Sequence, residues 1–405
     1  MAVQLKPPSE RGVQRALEAL FREARALERR RRHRRATVAL LGCVTLGAAA
    51  WFAVWVSRSS VAANGSARSS PAGAPAQVSP RDPFSLAMGP DGTLYVADPG
   101  RREVLRRSAS GRFEAVPGTA VAGRPGVDDP RGGLVVAPDG SLYFTQEGIG
   151  VYHASTGTVS TPPSLVREVA PDGRVTTVIG AHPDCRGAGA TARAIPAQDA
   201  LIDGAVLAFG RAGNLYLMAI ACPGVQNLGP LLELTRGGML VDGSSSSFLD
   251  DPRNDCWGSG FAFSGSGALY VACDSGGGHG KEVVAVEPNG QVKAFPGVYP
   301  YDDASGLTTA PDGTVFAIAR ERVVRFTPHG AHTVINLGSA TRHAFLGRFR
   351  GIAGSMEPNG IAVDRHGNLY LASTSGFGNG TFTGIVEVHT SGRVQVLWSR
   401  PSGSG

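Results

Sequence analysis

The sequence predicts an all-β chain made of six four-stranded antiparallel sheets arranged in series. Three observations carry this. An apolar–polar alternation broken by a glycine turn occurs six times, and each copy is followed by a second hairpin of the same kind. An aromatic residue stands three positions after every first-turn glycine.

The first hairpins are "LAMGPDGTLYVAD" (86–98), "LVVAPDGSLYFTQ" (134–146), "VLAFGRAGNLYLMA" (206–219), "FAFSGSGALYVACD" (261–274), "LTTAPDGTVFAIAR" (307–320) and "GIAVDRHGNLYLAS" (360–373). Their turn glycines are Gly92, Gly140, Gly213, Gly267, Gly313 and Gly367. The aromatics that follow are Tyr95, Tyr143, Tyr216, Tyr270, Phe316 and Tyr370, the expected fillers between neighbouring sheets. Second hairpins follow at 104–116, 166–179, 231–241, 283–295, 323–335 and 385–397. A lone four-stranded sheet leaves both faces uncovered, and a ring of such sheets covers them. The prediction is therefore a six-bladed β-propeller. Both terminal blades are complete in sequence, so the ring is expected to close by packing of faces rather than by an exchanged strand.

Elements outside the ring follow in chain order. Residues 1–36 hold eleven Lys or Arg and four Glu, while the rest of the chain holds 28 basic and 29 acidic residues. The basic character thus belongs to a tail, and a near-neutral main domain gives no argument for nucleic-acid binding. Val13, Leu17, Leu20, Phe21, Ala24 and Leu27 fall at helical spacing in that tail, as in a basic amphipathic helix resting on anionic headgroups. A docking helix for a cytoplasmic protein is the other reading. Residues 37–56, "TVALLGCVTLGAAAWFAVWV", carry no charge and are long enough for a transmembrane helix. Arginines at 29–32, 34 and 35 flank it on one side, with Trp51 and Trp55 near the other. The positive-inside rule then places the N-terminus in the cytoplasm and the rest outside, as a signal-anchor does. A cleaved signal peptide would have a shorter charged region and a shorter apolar one. Residues 57–82 are Ser/Ala/Pro-rich and read as a linker, residues 83–399 as the propeller, and residues 400–405 as a flexible C-terminus.

Four cysteines fall outside the predicted span, an even number that suits an oxidising compartment. Three pairings are possible. Cys256 and Cys273 flank one hairpin of blade 4, which favours that pair and leaves Cys185 with Cys222. A metal site is the other reading, but no Cys-x-x-Cys spacing or paired histidine supports one.

Loop lengths differ sharply between the two ends of the ring. Turns inside hairpins are short, and the long connections (118–132, 147–165, 181–204, 243–258, 274–282, 338–357 and 374–384) all emerge at one end. Length variation on one rim of a rigid scaffold is where binding is expected. The candidate rim residues are Tyr152, His153, Arg253, Trp257, Tyr301, Asp303 and Asn359. The register puts Phe84, Gly132, Ala205, Ser259, Ser305 and Asn359 at the channel mouth. "SGGGHGKE" (275–282) lacks the first Gly and the terminal Ser/Thr of a phosphate loop and reads as a rim loop. No Gly-x-Ser-x-Gly motif appears, and Asp250-Asp251 and Asp302-Asp303 read as loop polarity.

The motif "PNGIAVDRHGNLYLAS" (358–373) resembles the NHL-repeat family, and "AGATARAIPAQDALIDGAVLAFGRAGNLYL" (188–217) is similar to the stretch leading into such a blade. The resemblance covers about residues 83–399 and implies a six-bladed propeller. That fold serves many functions. Related gluconolactonase-like enzymes hold a divalent cation such as Ca at the channel mouth. Of the mouth positions only Asn359 matches their ligand pattern, with Asp303 and other acids (Asp203, Asp255, Asp302 and Glu357) a little upstream. No His occupies the channel positions, unlike the metal sites of amidating-lyase propellers. NHL-like sensor domains of bacterial transmembrane kinases also look similar, although 36 residues cannot form a kinase. The expectation is a membrane-anchored extracytoplasmic module without a cofactor, binding a protein, peptide or glycan through its loop-rich rim. A metal-dependent lactonase or lyase working at the channel is the alternative.

Overall fold

The computed structural model of the chain describes residues 77–120, 130, 132–147, 151–153, 158–160, 164–182, 185, 192–222, 230–243, 247–250, 260–274, 281–295, 306–319, 322–327, 330–336, 358–373 and 383–400. Residues 37–56 lie outside this set, and among the described residues no helix is long and apolar enough to cross a membrane.

Six antiparallel sheets follow one another along the chain. Their innermost strands are Leu86–Met88, Leu134–Val136, Ile202–Phe209, Phe261–Phe263, Leu307–Thr309 and Pro358–Val363. Each of these contacts the innermost strand of the next sheet, and the sixth contacts the first. The ring is thus a closed six-bladed β-propeller, as the repeats require.

Local chemistry explains the turns. In "PDGT" and "PDGS" the aspartate side chain accepts the N–H two residues on: Asp91 from Thr93 at 2.9 Å, Asp139 from Ser141 at 2.9 Å and Asp312 from Thr314 at 2.9 Å. The following glycine takes the positive φ that reverses the chain, +85° at Gly92 and +90° at Gly140. Any residue with a Cβ is strained there.

Packing explains the ring. Each of the six hydrophobic clusters spans one seam between blades, so burial couples neighbours rather than filling a common centre. The repeated second-strand aromatics are the fillers predicted from sequence. Tyr143 meets Phe209 of blade 3 at 5.6 Å between ring centres, Tyr216 meets Phe263 of blade 4 at 4.7 Å, and Tyr270 meets Phe326 of blade 5 at 5.1 Å. Phe316 packs on blade 6, Tyr370 on blade 1 and Tyr95 on blade 2. The last blade therefore closes on the first through faces, with no strand exchanged among the described residues.

Two blades exceed the plan. Ala194–Pro196 adds a fifth strand to the outer edge of blade 3, pairing Ile195 with Leu240. Between the second and third strands of blade 2 the chain forms an extra hairpin, Val151–His153 with Thr158–Ser160. A short helical turn, Ser247–Asp250, lies between blades 3 and 4. At the start of the ring, Gln77 forms an isolated bridge to Glu114 and the Val78 N–H donates to the Phe113 carbonyl at 2.9 Å. Residues 77–78 thus lie on the outer edge of blade 1 much as Ala194–Pro196 lies on blade 3.

Candidate functional site

Antiparallel strand order puts every turn within a hairpin at one end of the ring. These turns hold two to five residues. The strand ends joined by connections between second and third strands, and between blades, are at the other end. These connections range from the two residues 320–321 to the twenty-two residues 180–201. One face is therefore uniform and the other variable, as expected.

The candidate rim residues divide as follows. Tyr152 and His153 belong to the extra hairpin of blade 2, which stands on the variable face. Arg253, Trp257, Tyr301 and Asp303 lie outside the described residues. Asn359 is half-buried near the start of the sixth inner strand. Pairing there skips from Pro358–Ser373 to Gly360–Ala372, so Asn359 is the extra residue of a β-bulge. A similar shift between Asp203 and Val206 takes in Ala205 on blade 3. Bulges re-aim side chains and end regular pairing, and two of the six mouth positions carry one.

The pairing of Cys185 with Cys222 is present, with Cα atoms 5.7 Å apart and a sequence separation of 37. Their N–H groups donate to Asp199 and Leu201 carbonyls, both at 2.9 Å, which fixes the start of the 185–200 insertion against the end of blade 3's second strand. Both cysteines hold positive φ, +53° and +48°. Cys256 and the Cys273 side chain lie outside the described residues.

On the axis is a cavity of about 470 Å³, bordered by inner strands of all six blades. Leu86, Val135, Leu207, Phe261, Thr308 and Ile361 represent one blade each. Among the described residues its lining contains no charged or imidazole side chain, and the polar ones are Ser85, Thr308 and Thr309. The Ser85 hydroxyl donates to the Gly132 carbonyl at 2.6 Å and that of Thr309 to the Phe263 carbonyl at 2.7 Å, so both tie neighbouring blades together. Close approach does the rest. The Gly133 N–H donates to Ala205 at 2.8 Å, and a Cβ on Gly133 would stand 2.4 Å from Leu207 Cγ.

Two carboxylates at the variable end were not singled out from sequence. A Cβ on Gly132 would lie 2.5 Å from Oε1 of Glu147, so this acid sits against the mouth. Asp98 ends the second strand of blade 1 and is fully buried. Its carboxylate accepts the N–H groups of Arg81 at 2.7 Å, Asp82 at 2.9 Å and Arg101 at 3.1 Å. Burial pushes its carboxyl above the ordinary aspartate value, and those three donors pull it back part of the way. Its role is to hold residues 81–82 in place. The only sequence signal was an Asp ahead of "PGR", which reads as a turn.

A hard divalent cation takes six or more oxygens. Among the described mouth positions only Asn359 has a side-chain oxygen, and no group of three or more His, Cys, Asp or Glu is placed to hold a metal among the described residues. The described residues alone do not supply the ligands such an ion needs.

A family model described as a β-propeller repeat (SBBP) matches residues 346–380, a stretch that includes the first hairpin of blade 6. No curated protein matches the sequence. Among solved structures, a virginiamycin B lyase from Staphylococcus aureus is similar at 12% identity and a TM-score of 0.42, over 80% of this chain and 85% of that one. A PQQ-bound aldose sugar dehydrogenase from Streptomyces coelicolor is similar at 18% identity and a TM-score of 0.42, over 79% and 96%. A gluconolactonase from Xanthomonas campestris is similar at 18% identity and a TM-score of 0.35, over 71% and 68%. At these levels the likeness is one of blade architecture, and the chemistry of those enzymes does not carry over.

Proposed function

We propose that the chain is a binding module tethered to a membrane by residues 37–56, displaying the variable face of its propeller on the extracytoplasmic side to a protein, peptide or glycan. The observation that carries the reading is the division of labour between the two faces. Uniform turns of two to five residues occupy one, and connections of two to twenty-two residues, one of them anchored by the Cys185–Cys222 bridge, join strand ends at the other. The disulfide suits an oxidising compartment. The described channel lining, with no acid or base, favours recognition at the rim over chemistry on the axis. Tyr152, His153, Arg253, Trp257, Tyr301, Asp303 and Asn359 are the residues assigned to contact.

The test is crosslinking on intact cells with a reagent that does not cross membranes. Wild type is expected to give a discrete adduct that Arg253→Ala/Trp257→Ala diminishes by about tenfold, the effect of removing interface anchors. No labelling of the propeller on intact cells would defeat the topology. An adduct untouched by variable-face substitutions would defeat the face.

A further inference from the structure

One position in the blade plan separates blade 5 from the others. The second-strand aromatic sits opposite a fixed residue of the third strand. In blade 3 the Tyr216 hydroxyl donates to Glu233 at 3.0 Å, and in blade 6 that of Tyr370 donates to Glu387 at 3.1 Å. Tyr143 of blade 2 is hydrogen-bonded to Glu168 in the same way. In blade 1 the third-strand residue is Arg106, and Glu114 of the fourth strand neutralises it at 3.3 Å. In blade 4 it is Ala285. Blade 5 has Phe316, without a hydroxyl, opposite Arg325, and Arg325 is opposite His332 on the outer strand. Arg325 and His332 are both exposed, and neither has a hydrogen-bond or ion-pair partner among the described residues. Directly opposed basic groups do not help a sheet.

These two side chains border a cavity of about 490 Å³ between blades 5 and 6 at the short-turn face. Its apolar wall includes Phe316, Ile335, Leu369 and Val388. Val334, 49% exposed, extends that wall towards solvent. A second guanidinium, Arg365, lines the blade 6 side. The remaining titratable groups facing the cavity are already engaged. Asp312 accepts the Thr314 N–H at 2.9 Å, and Asp364 accepts the N–H groups of His366 at 2.8 Å and Asn368 at 2.9 Å. His389 Nε2 accepts from Arg393 at 2.8 Å and lies 3.8 Å from Glu387. The groove thus combines an apolar wall with two guanidiniums that, among the described residues, form no ion pair. Arg365 Nε donates to His366 Nε2 at 3.2 Å, while the carboxylates of Asp312 and Asp364 on the same lining are held by backbone N–H groups.

We propose that this groove is a binding site for a small organic anion with an apolar body, an aryl or alkyl carboxylate, whose charged end is held by Arg325 with Arg365 and His332 beside it. Guanidinium is the natural partner of a planar carboxylate, and the cavity is of the size small-molecule sites occupy. This site lies on the uniform face and does not depend on the rim reading above.

The test uses the purified full chain and 3-phenylpropanoate, followed by ligand-observed NMR and calorimetry, with the neutral 3-phenylpropanamide as comparison. Saturable binding is expected for the carboxylate, with the amide weaker by about tenfold or more. Arg325→Gln should lose the same factor, and Arg106→Gln in blade 1 should lose nothing. A second variant, Phe316→Tyr/Arg325→Glu, rebuilds the pair found in blade 6 and should abolish binding while leaving thermal stability unchanged or raised. Three results would each overturn the proposal: no saturation up to about 10 mM, equal affinity for acid and amide, or undiminished binding by Arg325→Gln.

Discussion

Between blades 2 and 3 the chain lays residues 194–200 into the seam. Ile195, Ala197 and Ala200 are buried there beside Val166, Ile179 and Leu240, and Cys185 ahead of them is bonded to Cys222. Between blades 6 and 1 the comparable place is taken by residues 77–82. Val78 packs against the same buried cluster as Leu397 and Trp398, and Asp98 holds Arg81 and Asp82 by their N–H groups. One seam joins blades consecutive in the chain and carries a covalent bridge. The other joins the two ends of the ring and, among the described residues, has only packing and hydrogen bonds. Ring closure therefore rests on the weaker chemistry, and the closing seam should open first. In native-state hydrogen exchange on the full chain, amides of Leu86–Met88 and Pro358–Val363 should exchange before those of Ile202–Phe209.

Substitutions at the two seams sharpen the contrast. The largest effect is expected from Cys185→Ala/Cys222→Ala. Closing a loop of 37 residues restricts the unfolded chain by about 4 kcal/mol, read as lost stability in chemical denaturation. A loss below about 1 kcal/mol would show that the bridge merely decorates the insertion. Gly360→Ala comes next, at about 3 kcal/mol, because the new Cβ would lie 2.3 Å from the Phe84 carbonyl oxygen across the closing seam. Asp98→Ala removes the acceptor of three N–H groups and should cost about 2 kcal/mol, with faster exchange at residues 81–82. Tyr370→Phe, which deletes one hydroxyl from the same seam, should cost about 1 kcal/mol.

The smallest effect is a pH dependence shared by the seams. Burial, then the hydrogen bond from Tyr216 to Glu233, pushes the Tyr216 phenol up to about 12. Burial and the charges of Glu168 and Glu387 likewise raise Tyr143 and Tyr370. A raised folded value means that each phenol's contribution to stability is complete below the ordinary value of 10 and is lost as pH climbs through the folded one. Phenolate absorbance should therefore appear at higher pH in the folded chain than in denaturant. Coincident curves would remove the buried Tyr–Glu pairs from the account.

How much of this was legible in sequence follows from how local each signal is. Gly92 and Gly140 announce their turns because the required φ is a property of one residue, and Tyr143 or Tyr370 announces a seam because the repeat fixes its register. Ala194–Pro196 is three residues with a proline and becomes a strand only because the outer edge of blade 3 offers Leu240 as partner. Residues 77–82 have linker composition, and their order comes from the buried carboxylate of Asp98. Arg325 and His332 are seven residues apart, and only the strand register makes them opposed. The Cys185–Cys222 bridge was reachable by elimination, since an even set of four left few choices.

The division between a uniform and a variable face can be probed where it acts. A photoreactive amino acid placed at Tyr152 or at neighbouring Val151 in the extra hairpin on the variable face, and at Asp172 or Asn289 in the short turns, should crosslink in living cells only from the first pair. Equal adducts from both pairs, or adducts from the turns alone, would contradict the claim that recognition belongs to the loop-bearing end.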